Sequence, residues 1–281
     1  MSIAVVTDST AYLSSEERER YNIRMIPLSV NFDDGSYEEE NEITTSEFYD
    51  KVRDAKSFPK TTQPPVGKFV ELFEELAKDY DHVISIHLSS GISGTYQGAI
   101  QAGQMVEGIE VHAFDSEISC APQSYFVLRA AEMAGQDASI EEILSTLEEM
   151  KRVMHAYFIV DDLSHLQRGG RLSAAAALVG GLLQVKPILS FEEKVIVPFE
   201  KIRTKKKALR RVEDLLAEDA MKGDKYIATV IHGNCEEDGR EWMTQLAENY
   251  PNVEFNLSYF GPVIGTHLGE GSLGLSWVRK I

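Results

Sequence analysis

Short apolar runs alternate with segments of helical period along the first half of the chain. Residues 3–6, 25–30, 82–86 and 111–114 are runs of strand length. Strands buried on both faces read as continuous apolar stretches rather than as polar–apolar alternation. Val66, Phe69, Val70, Phe73, Leu76 and Ala77 recur at helical spacing behind Pro64-Pro65, where proline suits a helix start. Helices are also predicted over 122–133 and 140–153. Ser14 with Glu17, and Thr44 with Glu47, have the spacing of capping boxes, and Asp33-Asp34-Gly35 marks a turn. This βαβ rhythm predicts a parallel sheet with flanking helices.

The pattern changes beyond about residue 155. A strand is expected over 155–160 and a short segment over 163–172. A hairpin is expected from 188–189 and 195–197 around Phe191-Glu192-Glu193. A helix over 205–220, a strand over 226–231, a helix over 241–249 and further strand to Val278 follow. The fold class is therefore α/β with two domains, 1–155 and 156–281. The first carries a parallel sheet with flanking helices, and the second is a mixed α/β domain. No linker, repeat or low-complexity tract marks the boundary.

Charge narrows the partners. With 28 Lys+Arg against 45 Asp+Glu, the 281-residue chain has a net charge of −17. Nucleic acid and anionic membrane surfaces are disfavoured, since both need clustered cations. The first eight residues have no basic region and do not read as a signal peptide, which makes a cytoplasmic location the expectation. The apolar stretch 174–183 is about half the ~20 residues of a bilayer span. It suits either core packing or the lining of a long apolar ligand. Cys120 and Cys235 stand apart, without metal-ligand spacing, and read as small buried hydrophobes. No metal and no cofactor is expected.

The loop Ser89-Ser90-Gly91-Ile92-Ser93-Gly94-Thr95-Tyr96 falls between a strand and a helix, where open α/β sheets bind ligands. Its hydroxyls and helix-end N–H groups suit an oxyanion, although serine-capped glycine turns are also common. Gly91 to Thr95 falls one residue short of a G-x-S-x-G elbow, and the order Ser93, Asp115, His267 matches that of the α/β-hydrolases. A serine hydrolase of acyl compounds is thus the rival enzymatic expectation. Gly269-Glu270-Gly271-Ser272-Leu273-Gly274 matches G-x-G-x-x-G, but neither a helix nor an acidic residue follows at the required distance. His267 stands out among the histidines because Gly261, Gly265, Gly269 and Gly271 surround it. Residues 201–211 hold seven basic residues and no acidic one, either a solvated helix face or a docking patch for an acidic partner. The glycines of Arg168-Gly169-Gly170-Arg171 would expose Arg171 in a tight turn.

These segments, taken in order, resemble the DegV family of bacterial fatty-acid-binding proteins. The matching residues are Thr7-Asp8-Ser9, Thr61-Thr62-Gln63-Pro64 and Ser93-Gly94-Thr95-Tyr96-Gln97. They continue with Leu163-Ser164-His165-Leu166, Gly169-Gly170-Arg171, Lys186-Pro187 and Gly265-Thr266-His267-Leu268-Gly269. The resemblance implies a two-domain α/β fold with a long-chain fatty acid in an apolar tunnel. It implies a non-catalytic carrier that presents the acid to a separate ATP-dependent fatty acid kinase for acyl-phosphate formation, feeding phospholipid metabolism and touching membrane enzymes only transiently. By this resemblance the carboxylate is held by Thr61 or Thr62, by Ser93 in its loop with Gly94, and by His267, while Arg171 and Arg203 dock the kinase. Two positions depart from the expected pattern. Thr62 replaces a frequent serine but keeps the hydroxyl. Glu270 replaces an expected proline, where its charge would raise the proton affinity of His267 or oppose the ligand.

Overall fold

The computed structural model describes residues 2–172 and 186–280. The apolar stretch 174–183 lies outside the described residues. The chain forms two compact units, Met1–Ile43 with Thr61–Arg152, and Thr44–Lys60 with Val153–Ile281. A single division at residue 155 places 44–60 in the first half; the structure groups that segment with the second.

The first unit is built on a parallel sheet in the order β2 (Ile23–Ile26), β1 (Ile3–Asp8), β6 (His82–His87), β7 (Glu110–Asp115). Its central strands are buried from their second residue onward, as strands covered on both faces must be. On one face α3 (Val66–Leu76) buries Phe69, Phe73 and Leu76 from a single stripe. Beside it, α4 (Thr95–Gly103) approaches closely through Gly98, Ala99 and Ala102. These side chains join Ala4, Val6 and Val83 in one core. On the other face α5 (Ala121–Gly135) packs against β1 and β6, and α6 (Ile140–Val153) follows it. A small sheet, β4 (Gly35–Glu38), β3 (Ser29–Phe32) and β5 (Lys60–Thr62), completes the unit. The run 25–30, expected as one strand, is divided between β2 and β3. Leu28 is buried where the chain passes between the two sheets.

Both capping boxes form. The Ser14 hydroxyl accepts from Glu17 N–H as α1 (Ser15–Arg20) begins, and in the second unit Thr44 does the same ahead of α2 (Thr45–Asp54).

The second unit holds a mixed sheet in the order β10 (Val195–Glu200), β9 (Ile188–Glu192), β8 (His155–Ile159), β13 (Leu273–Arg279), β11 (Tyr226–His232), β12 (Val253–Tyr259). Only β11 and β12 pair in parallel; the expected hairpin is β9–β10. Its core gathers Trp277, Trp242, Val230 and Leu216. Each tryptophan N–H is satisfied: Trp277 donates to Asp219 at 2.7 Å and Trp242 to Glu213 at 2.8 Å. Leu216 and Glu213 belong to α8 (Lys205–Ala220), while Trp242 belongs to α9 (Glu236–Asn249), which starts earlier than its apolar pattern suggests. Residues 262–268, expected within strand and glycine-rich loop, form a fully buried helix, α10 (Pro262–Leu268). β-branched Val263, Ile264 and Thr266 mask it in sequence, but Pro262 at its first turn is well placed to start a helix. Among the described residues, no helix is long and apolar enough to cross a membrane.

Candidate functional site

In the first unit, β1 leads to β2 on one side and β6 to β7 on the other, so the strand order reverses between β1 and β6. Ligands in open α/β sheets bind at such a switch point, beyond the carboxyl ends of the strands. The loop 88–94 lies there, pinned by aspartates that end the two flanking strands. Asp8, the last residue of β1, accepts from Leu88 N–H at 3.0 Å. Asp115, the last residue of β7, accepts from Ser90 N–H at 3.0 Å and the Ser90 hydroxyl at 2.5 Å. Ser93 N–H bonds back to Ser89 O, which makes the loop a compact turn. The Ser93 hydroxyl, half-buried, lies 2.9 Å from the Thr95 hydroxyl at the start of α4.

The Thr61-Thr62-Gln63 segment meets this loop. A Cβ at Gly94 would overlap the Gln63 carboxamide, and one at Gly98 would lie 3.9 Å from Gln63 Nε2. Gly94 therefore admits a neighbouring side chain, a role not visible from its place in the loop. Thr61 and Thr62 point to opposite sides of β5, as alternation requires. Thr62 is exposed and accepts from Asn31 Nδ2 at 3.3 Å, and Thr61 is the more buried of the two.

Behind the loop sits an arrangement absent from the sequence expectations. Ser85 Oγ lies 2.6 Å from His87 Nε2, and His87 Nδ1 lies 3.0 Å from Asp8 Oδ2. All three residues are wholly buried. Burial alone would raise the Asp8 carboxyl, but His87, the Thr10 hydroxyl and Leu88 N–H together hold it below the usual range. The order resembles a serine-protease triad, yet Ser85 is sealed in the core, away from any substrate. Its visible effect is to brace the carboxylate that anchors residue 88. Asp115, the acid expected for a hydrolase built on Ser93, is turned instead to the N–H groups of Ser90 and Glu117.

In the second unit, α10 carries His267, which is 8% exposed. A Cβ at Gly169 would overlap His267 Nδ1, so the Gly-Gly pair after α7 (Ser164–Arg168) gives the imidazole its space. Burial, then the charge of Arg171, then His165, push the His267 pKa down to about 3. The ring is neutral at pH 7 and sits in a positive field. Arg171 is not displayed on a tight turn as expected: it is half-buried, and its Nη1 donates to Gly169 O at 2.6 Å. Glu270 does not raise the proton affinity of His267. Arg53 and Asn234 hold its carboxylate, with Arg53 Nε at 3.1 Å and Asn234 Nδ2 at 2.7 Å. Arg203 is exposed, with no acidic partner among the described residues. Elsewhere in the basic run Arg211 pairs with Glu200 at 2.8 Å, and Lys205 donates to Gly271 O at 2.8 Å. Cys120 is buried, as expected, and Cys235 is half-buried; both are free thiols.

A neutral His267 has a consequence for stability. An unfolded histidine gains its proton near pH 6.5, whereas the folded one resists until about pH 3, so stability declines as pH falls through that window. Between pH 7 and pH 5 the delipidated protein should lose about 2 kcal/mol from this group, at about 1.4 kcal/mol per pH unit below 6.5. Urea unfolding of wild type and His267→Asn at both pH values tests this. Equal losses in the two proteins would show that His267 contributes nothing.

A family model described as "Uncharacterised protein, DegV family" matches residues 2–280. Protein DegV of Bacillus subtilis is 57% identical over 281 residues, covering all of both chains. The solved structure of that protein, described as a fatty acid binding protein, superposes with a TM-score of 0.96 over all of both chains. A DegV family protein from Thermus thermophilus, described by its fatty acid binding, is 33% identical and gives 0.92, again over all of both chains. A stearic-acid-binding protein from Eubacterium ventriosum is 27% identical and gives 0.89 over 100% of this chain and 99% of its own.

Proposed function

The chain belongs to the DegV family, and on that premise we propose that it binds a long-chain fatty acid as a non-catalytic carrier. The observation that carries this reading is His267: buried, neutral and beside Arg171, it can donate one hydrogen bond to a carboxylate in a field that favours an anion. Binding would draw a proton toward the ring, since a carboxylate partner raises a histidine pKa. Ser93 supplies a hydroxyl donor at the switch point of the first unit. Thr61 is the better threonine donor, because Thr62 is turned outward to Asn31. The acyl tail would provide most of the affinity, at about 0.8 kcal/mol per buried CH₂. The likeness to fatty-acid-binding DegV proteins over the whole chain supports the same ligand.

On this reading the protein is cytoplasmic and presents the acid to a separate ATP-dependent kinase, with Arg203 on the docking face. Arg171, whose charge acts on His267, would act on the ligand at least as much as on the kinase. Mass spectrometry of denatured, purified protein should find a fatty acid at up to one equivalent. Ser93→Ala should retain the fold and bind the same acid about tenfold more weakly, as loss of one hydrogen bond to a charged group implies. Absence of any co-purified or titratable fatty acid would overturn the proposal.

A further inference from the structure

At the amino ends of β6 and β7, away from the loop 88–94, three potential ligands share one face of the first unit's sheet. Parallel pairing sets His82 opposite Glu110 and Ile84 opposite His112. The period of two then puts His82, Glu110 and His112 on the same side. That side is the one covered by α5 and α6, because Val83 and Val111 pack on the other. His82 Nδ1 and His112 Nε2 are 3.3 Å apart. Glu110 lies 3.6 Å from each, through Oε2 to His82 and Oε1 to His112. Both imidazoles are mostly buried, whereas the glutamate is 67% exposed.

We propose that His82, Glu110 and His112 form a binding site for a divalent transition-metal cation of the zinc class. A tetrahedral ion with Zn–N bonds of about 2.0–2.1 Å separates its ligand atoms by about 3.3 Å. The imidazole nitrogens are 3.3 Å apart, each lies 3.6 Å from one of the two carboxylate oxygens, and one ligand atom from each side chain lies within 4.8 Å of the other two before any ion is placed. Two imidazoles and one carboxylate are the ligands such ions take, and a hard cation such as Mg²⁺ or Ca²⁺ would want more oxygens. A fourth position, on the side of the exposed glutamate, is open to water. Among the described residues no other group of three His, Cys, Asp or Glu converges this closely. Without metal, the same geometry is a hydrogen bond between the two imidazoles.

The site is independent of fatty-acid binding. Five residue steps along β6 separate His82 from His87, about 16 Å at the rise of a parallel strand. The metal would tie β6 to β7 where their pairing begins and stabilise the first unit, without touching the carboxylate donors.

The test uses tag-free, full-length protein stripped with a chelator, titrated with Zn²⁺ by calorimetry and with Co²⁺ by visible absorption. One equivalent should bind, four-coordinate Co²⁺ should show intense d–d bands, and saturating Zn²⁺ should raise the thermal midpoint by about 2–4 °C. Glu110→Gln, at an exposed side chain, should keep the fold and weaken binding about tenfold or more, and His112→Asn should abolish it. No heat and no thermal shift at about 1 mM Zn²⁺ would leave only the imidazole hydrogen bond and overturn the proposal. Unchanged stoichiometric binding in both variants would overturn it too, by locating the metal elsewhere.

Discussion

Asp8→Ala is expected to remove about 3–5 kcal/mol of stability from the first unit, the cost of breaking a buried, hydrogen-bonded charge constellation. The carboxylate is wholly buried and serves several donors at once: Leu88 N–H at 3.0 Å, Thr10 N–H at 3.0 Å, the Thr10 hydroxyl at 2.6 Å, and the His87 ring. Alanine leaves each without its acceptor, at about 1–3 kcal/mol for every buried group that stays unsatisfied. It also opens space beneath the turn 88–94. Asp8→Asn keeps the shape and one acceptor oxygen, and should lose less than half as much. Acid should act in the same direction. A carboxyl held below its unfolded pKa gives stability above about pH 4, and that stability disappears as pH falls through the folded value. Urea unfolding at pH 7 decides the matter, and a loss under about 1 kcal/mol for Asp8→Ala would mean that water replaces the missing acceptor.

The second large effect is on ligand affinity. Gly169→Ala should weaken fatty-acid binding about ten- to a hundredfold, at a stability cost of about 1–3 kcal/mol from the crowding it introduces. Gly169 has φ −71°, so alanine incurs no backbone penalty there. The obstacle is spatial: the added Cβ would overlap His267 Nδ1, lie 2.8 Å from Cε1 and press on His165 O at 3.2 Å. The imidazole must turn away, and a hydrogen bond to a charged group is worth about 1.5–3 kcal/mol, roughly the affinity change stated. His267→Ala should give a similar loss. The double variant should be no worse than either alone, because both remove one interaction. Titration with a fluorescent fatty acid gives the numbers, and wild-type affinity for Gly169→Ala would remove His267 from the site.

Local signals in the chain carried most of the fold. The two capping boxes, the α3 stripe and the uninterrupted strands β1 and β6 each depend on residues within a few positions of one another, and each formed where the spacing predicts. Three features did not show. α10 is short, rich in β-branched residues and stabilised by complete burial, so its helicity comes from packing rather than propensity. The Asp8–His87 contact joins residues 79 positions apart through the β1–β6 register, which no local pattern announces. Arg171 looked exposed because two glycines precede it, but its side chain folds back onto Gly169 O.

Of the residues proposed to hold the ligand, Ser93 draws attention by its strand–loop–helix position and His267 by the glycines around it. The placement of Gln63 over Gly94, and of Gly169 beside His267, required the folded backbone.

The segment Thr44–Lys60 also bears on how the protein is made. Synthesis runs from the amino end, and units that leave the ribosome first tend to fold first. The first unit can close once Arg152 has emerged, but 44–60 belongs to the unit that is finished only at the other end of the chain. Phe48 and Tyr49 are 1% and 2% exposed in the finished protein. Tyr49 donates to Phe260 O at 3.0 Å, a residue translated more than two hundred positions later. Until then Phe48 and Tyr49 lack the later residues that bury them in the finished unit. A fragment cut at residue 155 would keep that pair uncovered permanently.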